Sequence, residues 1–260
     1  MNIIIPMKRV PDTAIQIAVK DGRVLLEEVE TWVINPYDEY AIEEALRLIE
    51  RQGEGKIIIV TIGPEAAQET IRKALAMGAH EAYHLLDDAF EQLDPLGRAR
   101  VLAAAIEKIG EYDLIWPGFK GVDNDEGQTG VMMAEFMNVP HVSTAITVEE
   151  VADGHAVVKV EAEGGYRRVR VPLPAVITQT QGPHEPRYPT LRGIMGAKKK
   201  PLTVWNADDL GVDRDELEPI VEVLNVERPP ARKAGRILEG EPDHVARELV
   251  RLLHEDAKVI

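Results

Sequence analysis

Gly118-Phe-Lys-Gly-Val-Asp-Asn-Asp-Glu-Gly-Gln-Thr-Gly130 joins an apolar run to a helix-forming run. A segment of this kind can turn backbone N–H groups and a helix N-terminus toward an anion, so the chemistry it offers is phosphate binding. Gln128 and Thr129 can add side-chain donors. The pattern is neither a P-loop nor a G-x-G-x-x-G fingerprint, and the carboxylates of Asp123, Asp125 and Glu126 must face away from a phosphate or meet it through water or metal. An acidic loop that only caps the helix is the competing reading. Asn35-Pro36-Tyr37-Asp38 is a second candidate. Asn35 suits an N-cap, Pro36 the first helical position, and Asp38 the positive end of the helix dipole, while the same backbone can lie beside an adenine or ribose.

A third segment offers binding rather than catalysis. Between Pro186 and Ala207 there is no acidic residue, yet Arg187, Arg192, Lys198, Lys199 and Lys200 surround Tyr188, Leu191, Ile194 and Met195. Three lysines in a row ordinarily form solvated surface, but that apolar set is costly to expose without a partner. Pro186, Pro189 and Pro201, with Gly193 and Gly196, argue for a shaped loop here rather than a regular element. Its expected target carries a negative rim.

Groups for covalent or acid–base catalysis are scarce. There is no cysteine, no serine elbow and no histidine pair at H-E-x-x-H spacing. His141 and His184 are a conceivable metal pair, although loop histidines are the commoner reading. The binding segments, rather than any catalytic grouping, carry the functional reading of these residues. With 45 acidic against 30 basic residues and a net charge of -15, nonspecific nucleic-acid binding is disfavoured. No run approaches the roughly 18 to 20 apolar residues of a membrane span, so the chain is expected to be soluble, without membrane insertion, and cytoplasmic.

The elements that must position these segments follow from periodicity. Asn2 to Met7 is an apolar strand ended by the charged turn Lys8 to Asp12. A helix from Asn35 to Glu50, a strand from Lys56 to Ile62, and a helix from Ala66 to Met77 closed by Gly78 come next. The alternation continues with Glu81 to Leu86, Pro95 to Ile109, Leu114 to Pro117 and Gln128 to Met137. This predicts an α/β fold: a Rossmann-like parallel sheet with helices on both faces and ligands beyond the strand carboxyl ends. The charged turn, the Asn-Pro cap, Gly63-Pro64 and the loop after Trp116 would gather there. An antiparallel insert occupies about 142–172, with turns at Asp153-Gly154 and Gly164-Gly165, and Leu173 to Thr178 returns to the core. Residues 206–240 read as an extended arm, before a last helix from Asp243 to His254.

Taken in order, Lys8-Arg9-Val10-Pro11-Asp12, Asn35-Pro36 with Ala41 to Ala45, Glu69 to Ala79, Asp123 to Gly130, Leu173 to Val176, and Glu185-Pro-Arg-Tyr188 through Lys200 resemble the β subunit of electron transfer flavoprotein over nearly the whole chain. The resemblance implies a heterodimer in which an α subunit holds the redox-active FAD, and this chain buries a structural AMP. The AMP would lie against Pro6, Asn35, Pro36, Tyr37, Asp38, Ile62 and the run Gly121, Val122, Asp123, Asn124, Asp125, Glu126, Gly127, Gln128, Thr129, Gly130, Val131. It further implies a loop at about 183–201 that recruits flavin-dependent dehydrogenases of the acyl-CoA dehydrogenase type. Leu191 would be the anchor, with Arg192, Ile194, Met195, Lys198, Lys199 and Lys200 around it. Glu161 falls at a position in contact with α, and residues 206–260 would pack on α beside the nucleotide domain of residues 1–205. Electrons would pass to the membrane-associated ETF-quinone oxidoreductase. Where some relatives have a tyrosine near the flavin this chain has Thr13, and where some have a lysine it has Gly196. An electron-bifurcating β subunit, with a second FAD in the AMP site and NADH nearby, is the redox alternative; a stand-alone adenine-nucleotide-binding regulator is the alternative of another class.

Overall fold

Apolar residues on both faces of short strands oblige helices to cover each side. The computed structural model describes residues 1–231 and 235–260. It begins with Asn2–Pro6 (β1), Arg9–Pro11 (β2), Val19–Lys20 (β3), Arg23–Val24 (β4), Trp32–Ile34 (β5) and helix Pro36–Gln52 (α1). Lys56–Ile62 (β6), Ala67–Met77 (α2), Glu81–Leu85 (β7), Pro95–Ile109 (α3), Leu114–Ile115 (β8) and Thr129–Phe136 (α4) continue the alternation. His141–Ala152 (β9), His155–Ala162 (β10), Gly165–Pro172 (β11) and Ala175–Gln179 (β12) precede Leu191–Ala197 (α5), Leu202–Trp205 (β13), Ala207–Leu210 (α6) and Pro242–Glu255 (α7).

The main sheet has the order β11-β10-β9-β12-β8-β1-β6-β7-β13. It is parallel from β9 through β13 and antiparallel where β10 joins β9 and β11. The expected insert is therefore not a separate layer. β9 pairs with β12 as well as β10, so the hairpins prolong the central sheet. Asp153 and Gly154, at φ 51° and 71°, supply the left-handed pair that a tight hairpin needs. Ile3, Ile5, Ile57 and Ile59 pack with Ile42 and Ile71 on one face, and Ile4, Ile58 and Val60 with Leu102, Ile106 and Met133 on the other. At the sheet's ends, β11 is largely exposed and carries Arg167, Arg168 and Arg170, whereas β13 is a four-residue strand after Pro201.

Three expectations need correction. The charged turn at Lys8 to Asp12 contains a strand, because Arg9 to Pro11 pair with Trp32 to Ile34. The basic segment is not wholly loop: residues 191–197 form a helix whose Gly193 N–H is capped by Thr190 Oγ1 at 3.0 Å. Gly193 is there for space, since a Cβ would collide with the Ala76 carbonyl oxygen. The arm begins later than residue 206. β13 joins the sheet, and Ala207 and Leu217 are buried in the core. Beyond Leu217 no described residue is buried. Ile220, Val221, Val223, Leu224 and Ile237 are exposed, and α7 has no buried residue. Among the described residues the arm is tied down by three hydrogen bonds: Asp94 accepts the Ile220 N–H at 3.0 Å, Gly22 accepts the Val226 N–H at 2.8 Å, and Arg228 donates Nη2 to the Ile17 carbonyl at 2.8 Å.

Candidate functional site

The carboxyl ends of β1, β6 and β8 open on a cleft of 480 Å³, within the range of small-ligand sites. Its wall holds parts of all four segments expected at the strand ends: Lys8 to Pro11 in part, Asn35, Gly63-Pro64 and the loop from Pro117 to Gly130. Of the expected nucleotide residues, Pro6, Asn35, Asp38, Ile62, Gly121, Asp123, Asn124, Glu126, Gly127, Gln128, Thr129 and Gly130 line it. Pro36, Tyr37, Val122, Asp125 and Val131 do not. Tyr37, for instance, packs edge-on against Phe119 with centroids 6.4 Å apart.

Asn35 does not cap its helix with its side chain. Its amide instead spans the cleft floor, donating from Nδ2 to the Lys120 carbonyl at 2.9 Å and accepting the Val122 N–H at Oδ1 at 3.1 Å. Asp38 has the matching task. Its two oxygens accept the N–H groups of Lys8 at 2.7 Å and Gly118 at 2.8 Å, which ties the exits of β1 and β8 to α1. Burial pushes the Asp38 carboxyl up to about 7, against the pull of those hydrogen bonds and of Lys8. Gly118 fits only as glycine, because a Cβ would strike Asp38 Oδ1 and approach the Tyr37 Cβ to 2.7 Å.

The loop's three carboxylates each meet a cation. Asp123 pairs with Lys8 at 2.6 Å, Asp125 with Lys120 at 2.9 Å, and Glu126 with Arg98 of α3 at 2.6 Å. The loop is thus neutralised within the fold. Among the described residues, the N–H groups of Gly127, Gln128, Thr129 and Gly130 donate to no protein acceptor. They sit at the start of α4, where unpaired donors and the helix dipole favour an anion. The donor set fits a phosphate.

Sequence reasoning missed the other wall. Arg98 gave no local signal, since its partner is 28 positions away. Arg9 lies over the Trp32 ring, 3.9 Å from its centroid, and its Nε is buried without a partner. Burial lowers the Arg9 pKa, with Glu69 opposing. Phe90, Asp87, Asp88 and Glu91 close that side. The β2–β5 pairing alone brings Arg9 to Trp32.

The basic segment divides its side chains. Tyr188, Leu191, Ile194 and Met195 are exposed, Tyr188 at 92% and Leu191 at 76%. Arg192, Lys198 and Lys199 are exposed beside them. One expected rim cation turns inward instead, Lys200, which donates to the carbonyls of Leu75 and Ala79; Arg187, ahead of the helix, pairs with Glu43 at 2.7 Å and Glu50 at 2.6 Å. Glu161 is exposed on β10 opposite Tyr166, in the antiparallel end of the sheet. His184 bonds Glu44 at 2.7 Å, and no group of three metal-binding side chains occurs among the described residues. No described helix is long and apolar enough to cross a membrane.

The family model for the electron transfer flavoprotein domain matches residues 23–210. The chain is 41% identical over 261 positions to the electron transfer flavoprotein subunit beta of Bacillus subtilis, covering all of both proteins. It is 43% identical to the subunit of the same name from Sus scrofa, over 97% of this chain and 99% of that one. It is also 35% identical, over 98% of each, to the Caffeyl-CoA reductase-Etf complex subunit CarD of Acetobacterium woodii.

Proposed function

The chain belongs to the electron transfer flavoprotein family, on the β-subunit side, and from that premise we propose that it is the AMP-holding, non-catalytic half of a heterodimeric electron carrier. The observation that carries this reading is the self-neutralised loop with free amides at residues 127–130. Those amides would take the AMP phosphate, with the Gln128 and Thr129 side chains beside it. Asn35, Asp38 and Ile62 would border the nucleoside. AMP supplies no chemistry here; it fills and braces the cleft.

The redox group is FAD, held mainly by the α subunit, and it would supply the one- and two-electron steps. This chain's own residues bind, orient and shield. The exposed arm and the unburied face of α7 support packing on α, because apolar residues such as Leu224 and Leu249 need a cover. The face of α5 would dock acyl-CoA dehydrogenase-type flavoproteins, with Leu191 as anchor and Arg192, Lys198 and Lys199 as a rim for an acidic partner. Transfer onward to ETF-quinone oxidoreductase completes the proposed route, in the cytoplasm.

One observation favours a second reading. The cleft extends past the loop to Arg9, Trp32 and Phe90, and the CarD relative carries a reductase-complex name. A second FAD in place of AMP would then make this a bifurcating subunit. The test is the ligand content of the heterodimer, purified with its α subunit and denatured. One FAD and one AMP per dimer supports the carrier; two flavins without AMP replaces it with the bifurcating subunit. A chain that purifies alone, with no flavoprotein bound, points to the stand-alone nucleotide-binding regulator.

A further inference from the structure

We infer that Arg72, Arg187 and Lys200 are positioning residues that fix α5 on α2, so that its exposed face is presented to a docking partner already ordered. The inference rests on the docking reading above and adds what holds the docking element in place. A helix of seven residues cannot sustain itself in water, and within α5 only Ala197 is buried. Its order must come from the fasteners around it.

Three are visible. Before the helix, Arg187 gives Nε to Glu43 at 2.7 Å and Nη1 to Glu50 at 2.6 Å, so α1 clasps the approach. At its end two cations are exchanged. Arg72 of α2 donates Nη1 to the carbonyls of Ala197 at 2.6 Å and Lys200 at 2.8 Å, while Lys200 donates Nζ to those of Leu75 at 2.8 Å and Ala79 at 2.5 Å. The last carbonyls of a helix lack intrahelical partners and carry its negative pole, so each helix caps the other. In the middle, the Gly193 backbone lies so close to the Ala76 carbonyl that no side chain fits between them.

The acid-free stretch therefore has two kinds of cation. Arg187 and Lys200 fasten; Arg192, Lys198 and Lys199 are left for the partner. An element held in its bound form avoids the ordering cost of association. Loosening it should weaken capture while sparing the transfer step.

The experiment uses the full heterodimer with an acyl-CoA dehydrogenase that reduces the wild type in the presence of its acyl-CoA. Two quantities are read: KM and kcat with the heterodimer as varied substrate, and hydrogen exchange of the amides of residues 192–199. Lys200→Met and Gly193→Ala should each raise KM about tenfold with kcat kept, and speed that exchange. Lys200→Arg should restore most of the loss. Leu191→Ala should raise KM with exchange unchanged. If Lys200→Met folds poorly, Gly193→Ala carries the test, since it removes no hydrogen-bonding group. Wild-type KM in both fastener variants, with or without faster exchange, overturns the inference when Leu191→Ala still impairs capture. A Leu191→Ala variant with wild-type KM overturns the docking reading itself.

Discussion

Replacing Asp38 by Asn separates the cost of a buried charge from the value of the bonds it makes. The carboxyl is 3% exposed, accepts two backbone N–H groups, and is pushed by burial from 3.8 up to about 7. Because the folded value is raised, the folded chain keeps a proton between about pH 4 and 7 that the unfolded chain releases. The stabilisation from that proton is full below about pH 4 and is lost as pH rises to about 7. The slope reaches about 1.4 kcal/mol per pH unit, or about 4 kcal/mol in total. The Asn variant does not titrate, and its single carbonyl serves only one of the two N–H groups, at a cost of about 1 to 3 kcal/mol. Wild type should thus lose about 3 kcal/mol relative to the variant between pH 5 and pH 8, leaving the variant the more stable at pH 8. Urea unfolding of both proteins at pH 5, 6, 7 and 8 gives the difference free of other titrating groups. A difference that stays constant, or that turns further in favour of wild type as pH rises, refutes the reasoning. The second outcome would mean that the two N–H groups hold the ionised form.

Three further outcomes are expected. Arg98→Met leaves Glu126 unpaired beside the free amides and should weaken AMP binding about tenfold, or about 1.4 kcal/mol, measured by calorimetry on nucleotide-free protein; an unchanged Kd would remove Arg98 from the site. Gly118→Ala forces a methyl group against Asp38 and Tyr37 and should cost about 1 to 3 kcal/mol, seen as a Tm lower by several degrees together with AMP loss; a wild-type melt would show that the loop has room. Arg187→Met leaves the buried Glu43 with Arg47 alone and should cost about 1 to 3 kcal/mol near neutral pH, less than a wholly unpaired buried charge would. Burial raises the Glu43 pKa, but its bonds to Arg187 and Arg47 outweigh that and hold it low, so the deficit should shrink as pH falls below about 4.5; a deficit that grows on acidification contradicts the pairing.

The sheet was legible because its strands and helices carry local signals. Ile57 to Val60 can only be a doubly covered strand, and Pro95 to Ile109 lies between a capping aspartate and Gly110. The cleft was legible as a set of strand-end loops, since parallel order alone sends those loops to one side. What escaped depends on distance along the chain. Asn35 looks like an ordinary cap, and only the fold reveals that its amide holds residues 120 and 122. Arg98 and Glu126, or Arg72 and Lys200, meet across gaps that no periodicity marks. Gly193 suggested a break in a helix. A glycine in a helix and a glycine in a loop look alike until the neighbouring backbone is known.

The two ends of the central sheet bear on how such a subunit survives its own synthesis. A strand edge is a template, and a chain released before its companion arrives could line up with copies of itself. Here one end offers Arg167, Arg168 and Arg170 along β11, so two copies would bring like charges together. The other end is only four residues long and follows Pro201. Neither edge lends itself to stacking. A chain with such edges can therefore remain unpaired for a time without its sheet becoming a seed for fibres.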